Sequence, residues 1–239
     1  MTENWLAREA LLIGEEGVAC LRGKHVAVVG LGGVGYPCAE SLCRAGVGAL
    51  TIVDHDTIDE TNLNRQLITT REVLGQKKVQ VAKARLLSIN PSLQLRALDL
   101  FYQEETSDQL FSLCPDYIVD CIDTVSAKLT LAQRAQEAGI PLLICLGTGN
   151  RLDPTALRLA RLEETAGFGS CPLARVMRRE AKKRGLTGLR VLCSGEAPIR
   201  GICSEDSPIG RHSPGSISFV PPVAGMILAG QVVRDLLQK

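Results

Sequence analysis

The chain has 239 residues, room for one sizeable α/β domain and marginal for two independent ones. Hydrophobic residues make up 45% and charged residues 22%, while aromatics at 3% leave the core to Leu, Val, Ile and Ala. A formal net charge of +1 excludes a whole-molecule attraction to nucleic acid or acidic membrane, so any basic patch must be local.

The N-terminal MTENWLAREA carries acids and lacks an apolar core, which argues against a secretory signal. HVAVVG (25–30) reads as a strand and VGYPCAESLCRAGVG (34–48) as the helix after it. ALTIVD (49–54) is the next strand. KVQVAKARLLSIN (78–90) has helical periodicity and stops before Pro91. LQLRALDL (93–100) and the β-branched DYIVDCID (116–123) read as strands. Helical AKLTLAQRAQEAG (127–139) and the strand PLLICLG (141–147) follow. Such alternation predicts an α/β fold, a mainly parallel sheet with helices on both faces.

The pattern weakens after Gly149. CPLARVMRREAKKRG (171–185) reads as a basic helix, and LRVLCSGEAP (189–198) as a strand and turn. IRGICSEDSPIGRHSPGS (199–216), rich in Ser, Gly and Pro, is the expected mobile loop. The apolar run Ile217–Val233 contains Pro221 and Pro222, which suit a helix start. The helix left over, Val223–Leu237, is too short to cross a membrane, so it should be buried. One domain over 1–239 is expected. Its nucleotide-binding half spans about 24–149, and its substrate-facing half and closing helix about 150–239.

Nine cysteines are present, Cys20, Cys38, Cys43, Cys114, Cys121, Cys145, Cys171, Cys193 and Cys203. None forms a Cys-x-x-Cys pair, so no zinc is expected. Several lie in apolar runs, as buried free thiols of a reducing cytoplasm would.

GLGGVG (30–35) carries the chemistry. Gly30 allows a tight turn, Gly32 and Gly33 let backbone approach a phosphate, and Gly35 lets the next helix pack on the strand. Asp54 ends the following strand, where an acid meets ribose hydroxyls, and Asp56 stands beside it. This much also suits a nicotinamide dehydrogenase. The tie is broken by Asn64, Arg65 and Gln66, then by Lys77 and Lys78 at a helix start. Hydride transfer develops no charge on phosphorus; attack on an α-phosphate does. Arg65 can grip phosphate oxygens in parallel and Lys78 can add a point charge. Asp123, after the YIVDCID strand, could hold a magnesium ion that neutralises the triphosphate. ATP and Mg2+ are the expected ligands. Arg65, Lys78 and Asp123 are the expected catalytic set, with Asp123 as metal ligand.

GLGGVG, Asp54, NLNRQ, GQKK and VDCIDT, in this order and spacing, resemble the ubiquitin-activating superfamily of Rossmann-like adenylating enzymes, which includes the ThiF, MoeB and HesA types. The resemblance implies that Asp54 meets the ribose, that Asn64, Arg65 and Lys78 meet the phosphates, and that Asp123 meets the metal. FVPPVAGMILAGQVVRDLL resembles the superfamily's closing helix. LLIGEEG, VDCIDTVSAK, GNRLDPT, CPLARVMRRE and GSISFVPPVAG further resemble the tRNA threonylcarbamoyladenosine dehydratases. Thr148 and Cys171 depart from the residues expected in those motifs.

That branch implies adenylation of the threonyl carboxylate beside the anticodon, followed by cyclising loss of water. It also implies a homodimer, in which Arg8 is either a residue that reaches the partner's nucleotide or an ordinary surface arginine, and it leaves open a monovalent cation and a sulfur-trafficking or cysteine-desulfurase-associated partner. An exposed, activated cysteine would be needed for a thioester route, and none is expected. Arg175, Arg178, Arg179, Lys182, Lys183 and Arg184 fall within about three helical turns, a candidate track for tRNA backbone. The alternatives are an adenylyltransferase for a sulfur-carrier or ubiquitin-like protein, an NAD-dependent oxidoreductase and a nucleotide-binding scaffold.

Overall fold

The structure, a computed structural model, describes residues 4–168, 171–199 and 214–238. The elements in chain order are α1 (Ala7–Arg22), β1 (His25–Val29), α2 (Gly35–Arg44), β2 (Ala49–Asp54), α3 (Lys78–Ile89), β3 (Gln94–Asp99) and α4 (Ser107–Phe111). They continue with β4 (Tyr117–Asp120), α5 (Val125–Ala138), β5 (Leu142–Cys145), β6 (Leu157–Arg161), α6 (Pro172–Lys183), β7 (Arg190–Ser194) and α7 (Val220–Leu236).

The strands form one seven-stranded sheet in the order β3-β2-β1-β4-β5-β7-β6. All neighbours are parallel except β6, which runs antiparallel to β7. Strands from the second half of the chain therefore extend the sheet begun by the first. Alternation along β1 shows how both faces are covered. Val26 and Val28 point into a cluster with residues of α2, α3 and α7, while Ala27 and Val29 point into one with residues of α4 and α5. Further along, Ile144 and Val191 pack with Ala174, Met177 and Ala181 of α6.

Three elements go beyond the sequence reading. α1 is broken at Gly14, whose φ of 80° interrupts the helix. The sheet edge β6 has the burial pattern of a half-exposed strand, and α4 is a single short turn. α7 begins with its prolines in the first turn, as their missing N–H groups favour. Among the described residues no helix is long and apolar enough to cross a membrane. Residues 200–213 of the expected mobile loop, and with them Cys203, lie outside the described residues.

α7 packs closely on the glycine loop and α2. A Cβ at Gly225 would fall 2.2 Å from the Val34 carbonyl oxygen, and one at Gly33 3.0 Å from the Pro221 Cβ. Helix and loop meet backbone to backbone. Asp235 ties the far end of α7 to the sheet, accepting from Tyr117 Oη at 2.7 Å and Arg190 Nη1 at 2.5 Å.

Candidate active site

In this strand order the chain leaves β1 on one side for β2 and returns on the other as β4. The crevice beyond the C-terminal ends of β1 and β4 is therefore the topological switch point, the usual ligand seat of such sheets. A cavity of about 520 Å³ lies there. Gly30 turns the chain at a φ of 90°, and a Cβ on it would stand 2.7 Å from the Cys121 carbonyl oxygen. Gly35 lies behind the cavity wall, where a Cβ would overlap the Gly30 carbonyl at 1.7 Å. Gly32 and Gly33 line the cavity, and α2 starts beside them with no side-chain cap. At that start Tyr36 N already donates to Gly32 O at 3.3 Å and Pro37 has no N–H, so what α2 offers a phosphate is mainly the positive end of its dipole.

Asp54 ends β2 nearly buried. Its Oδ2 accepts from Leu31 N at 2.6 Å and its Oδ1 from Asp56 N at 2.8 Å. Each oxygen keeps a lone pair for a hydroxyl. Lys78, the first residue of α3, is buried, and its Nζ donates to Asp56 Oδ2 at 2.6 Å. Asp56 Oδ1 lies 3.1 Å from His55 Nε2. The ligand atoms of Asp54, His55 and Asp56 lie within 4.8 Å of one another. Asp56 Oδ2 already holds Lys78, so a cation at this trio would compete with that ammonium.

Arg65 Nη1 donates to Thr61 O and Asn64 Oδ1, both at 2.9 Å, from a position on the cavity wall. Gln66 is buried at the wall, and its Oε1 is enclosed without a hydrogen-bond partner among the described residues. Asp123 is exposed on the wall; among the described residues its carboxylate accepts only from the Thr124 hydroxyl, at 3.3 Å, which leaves it open to a hard cation. The cavity thus combines the residue types that a nucleoside triphosphate and magnesium require.

Asn64 joins this set through its Oδ1, which accepts from Arg65. It is exposed, outside the cavity wall, and its Nδ2 donates to Ser216 O at 3.0 Å. Asn62 also lines the wall, held in a capping box with Asp59. Thr124, the last residue of VDCIDT, also lines it, as do Phe101 and Tyr102, which carried no sequence signal because they follow the irregular end of β3.

Beneath the turn that carries Asp123 lies a fully buried ion pair. Lys128 Nζ donates to Asp120 Oδ1 at 3.0 Å and to Cys145 O at 2.7 Å, and Asp120 Oδ1 also accepts from Ile122 N at 2.9 Å. Burial pushes the Asp120 pKa up, with Lys128 opposing.

The thiols are free among the described residues, most of them buried, with Cys114 exposed. Burial pushes Cys145 up to about 12 and Cys193 up to about 11, the reverse of an activated nucleophile.

On α6 the cations Arg175, Arg178, Arg179, Lys182 and Lys183 follow an i, i+3, i+4, i+7, i+8 stripe opposite the buried Ala174, Met177 and Ala181. Arg178 is half-buried, and its Nη1 donates to Thr165 Oγ1 at 2.6 Å, so it fastens the helix more than it faces solvent. The other four are exposed, as are Arg184, at the helix end, and Arg8, on α1.

The ThiF family model matches residues 6–239. The chain belongs to the ThiF family. Within it, a tRNA threonylcarbamoyladenosine dehydratase of Bacillus subtilis is 40% identical, over 97% of this chain and 94% of its own. Another, from Escherichia coli, is 35% identical over 83% and 77%. The solved structure of the Escherichia coli tRNA N6-threonylcarbamoyladenosine dehydratase in complex with ATP superposes with a TM-score of 0.87. It is 29% identical and covers 99% of this chain and 96% of that one. This ThiF-family chain therefore shares fold and extent with a protein solved with ATP bound.

Proposed function

We propose that this chain is an ATP-dependent tRNA threonylcarbamoyladenosine dehydratase. The reading is carried by one observation: a cavity at the switch point walled by the glycine loop, Arg65, Lys78 and Asp123, in a chain 40% identical from end to end to such an enzyme.

In this reading Asp54 accepts from the ribose, and the start of α2 faces the phosphates. The threonyl carboxylate oxygen attacks the α-phosphorus, and the bond to the pyrophosphate oxygen breaks. Lys78 and Arg65 offset the charge that builds on the phosphoryl oxygens. Both cations must leave their present partners, Asp56 for Lys78 and the Thr61 carbonyl for Arg65. A magnesium ion held by Asp123 would neutralise the departing pyrophosphate. The neighbouring urea group then attacks the acyl carbon, closes a five-membered ring and expels AMP. The net change is loss of one water from the nucleoside. This second step is intramolecular, so effective molarity drives it without an enzyme nucleophile.

The reading places the enzyme in the cytoplasm as a homodimer, with Arg8 directed to the partner's nucleotide. Mixing Arg8→Ala with Lys78→Ala subunits should then restore part of the activity that each variant lacks. The decisive experiment is incubation with ATP, magnesium and bulk tRNA, followed by nucleoside mass analysis. Loss of one water from threonylcarbamoyladenosine supports the proposal. ATP–pyrophosphate exchange stimulated only by a protein with a Gly-Gly tail would replace it with protein adenylation.

A further inference from the structure

The basic stripe on α6 does not end with α6. The short helical segment that follows β6, Leu162–Gly167, accepts Arg178 through Thr165 and leads into Phe168. The guanidinium of Arg158, on β6, stands over the Phe168 ring, 6.0 Å from its centroid. Cys193 Sγ donates to the Arg158 carbonyl oxygen at 3.8 Å, so the point where the edge strand meets this segment lies beside Cys193.

Register fixes where that point lies. Arg158 pairs with Cys193 near the C-terminal end of β7, and β7 runs parallel to β5. Arg158 therefore sits at the end of the sheet that opens onto the catalytic cavity. β6 is an edge strand, with Arg158 and Arg161 exposed and Leu159 39% exposed between them. Among the described residues Arg158, Arg175 and Lys182 carry no ion pair, whereas Arg179 and Lys183 share Glu180 at 2.7 and 3.1 Å.

We infer that the RNA surface of this protein is composite, a phosphate track along α6 that passes onto the edge strand β6, where Arg158 over Phe168 receives the nucleotide nearest the cavity. The inference rests on the tRNA reading above. An exposed guanidinium offers two things an RNA needs at that place. Its N–H groups pair with a phosphate, and its plane, backed by a ring, stacks with an unpaired base. The unpaired cations of α6 supply the attraction that the net charge of +1 cannot.

The test is binding of bulk tRNA to the full chain across roughly 50 to 200 mM KCl. Arg158→Gln should weaken binding about eightfold at about 0.1 M salt and flatten the slope of log affinity against log salt by about 0.9, one phosphate contact. Arg158→Lys should recover the slope but only part of the affinity, because an ammonium cannot stack. Arg96→Gln, in a basic cleft at the opposite end of the sheet, should change neither. Unaltered ATP affinity in all three variants shows that the fold is intact. Wild-type affinity and slope in Arg158→Gln, with both reduced in Arg175→Gln/Lys182→Gln, would overturn the inference and leave the tRNA reading standing. A wild-type chain that holds no tRNA would overturn both.

Discussion

Lys78 is stored against Asp56 with almost no exposure, so the buried side chain has a carboxylate partner before a nucleotide arrives. Its replacement by Met should lower the rate of adenylate formation by about 10² to 10³, the usual effect of removing one group that meets developing charge. Rapid-quench measurement of AMP and pyrophosphate would show it. ATP affinity should fall far less, and a loss confined to affinity would mean that Lys78 binds substrate and transition state equally. The Asp120–Lys128 pair calls for a different measurement. Lys128→Met alone leaves a buried carboxylate without its cation and should cost roughly 3 to 5 kcal/mol in urea unfolding. Adding Asp120→Asn should return much of that, because no net charge then remains buried. An additive double variant would show that the two groups do not act as a pair. The cysteines lead to the opposite expectation. Cys171→Ser and Cys193→Ser should each form the cyclised nucleoside. A variant that keeps pyrophosphate exchange but forms no cyclised product would make that thiol a covalent participant.

At the scale of elements, the closing helix α7 is anchored through Asp235. Burial tends to raise its pKa, but hydrogen bonds from Arg190, Tyr117 and Gln231 outweigh that and hold it below the usual range. A depressed folded pKa contributes stability above the unfolded value near 4, and that contribution disappears as pH falls through the folded value. Asp235→Asn should therefore lower stability by about 1 to 3 kcal/mol at neutral pH. The gap to the wild type should close below about pH 4; a gap that stays constant in pH-dependent thermal melts would deny the ionic character of the anchor. Legibility also differs by element. The parallel core strands announced themselves as short apolar β-branched runs between helices, because a strand buried on both faces has no polar positions to blur it. Arg65, Gln66, Lys78 and Asp123 could be read because each follows a strand or opens a helix at the cavity end. α1 could not, since Gly14 divides its periodicity just as it breaks the helix. β6 could not either. A five-residue edge with an exposed side alternates too briefly to stand out from loop. The buried pair escaped for a tertiary reason. Asp120 reads as part of an apolar strand, and only packing brings Lys128 and the Cys145 carbonyl to it.

Across the whole molecule, charge is nearly balanced but unevenly placed, with the cations of α6 and β6 at one side of the sheet and the nucleotide cavity at its C-terminal edge. Salt should consequently weaken tRNA binding steeply and ATP binding mildly, which parallel titrations would measure. The seating of α7 against the glycine loop carries a further consequence, for synthesis on the ribosome. The loop is translated before the surface that backs it, Pro221 and Gly225 of α7. A nascent chain halted before Val220 should retain the phosphate-binding motif yet fail to capture ATP, so that nucleotide occupancy reports that α7 has been made and seated. Equal ATP retention by stalled chains with and without that helix would refute the coupling.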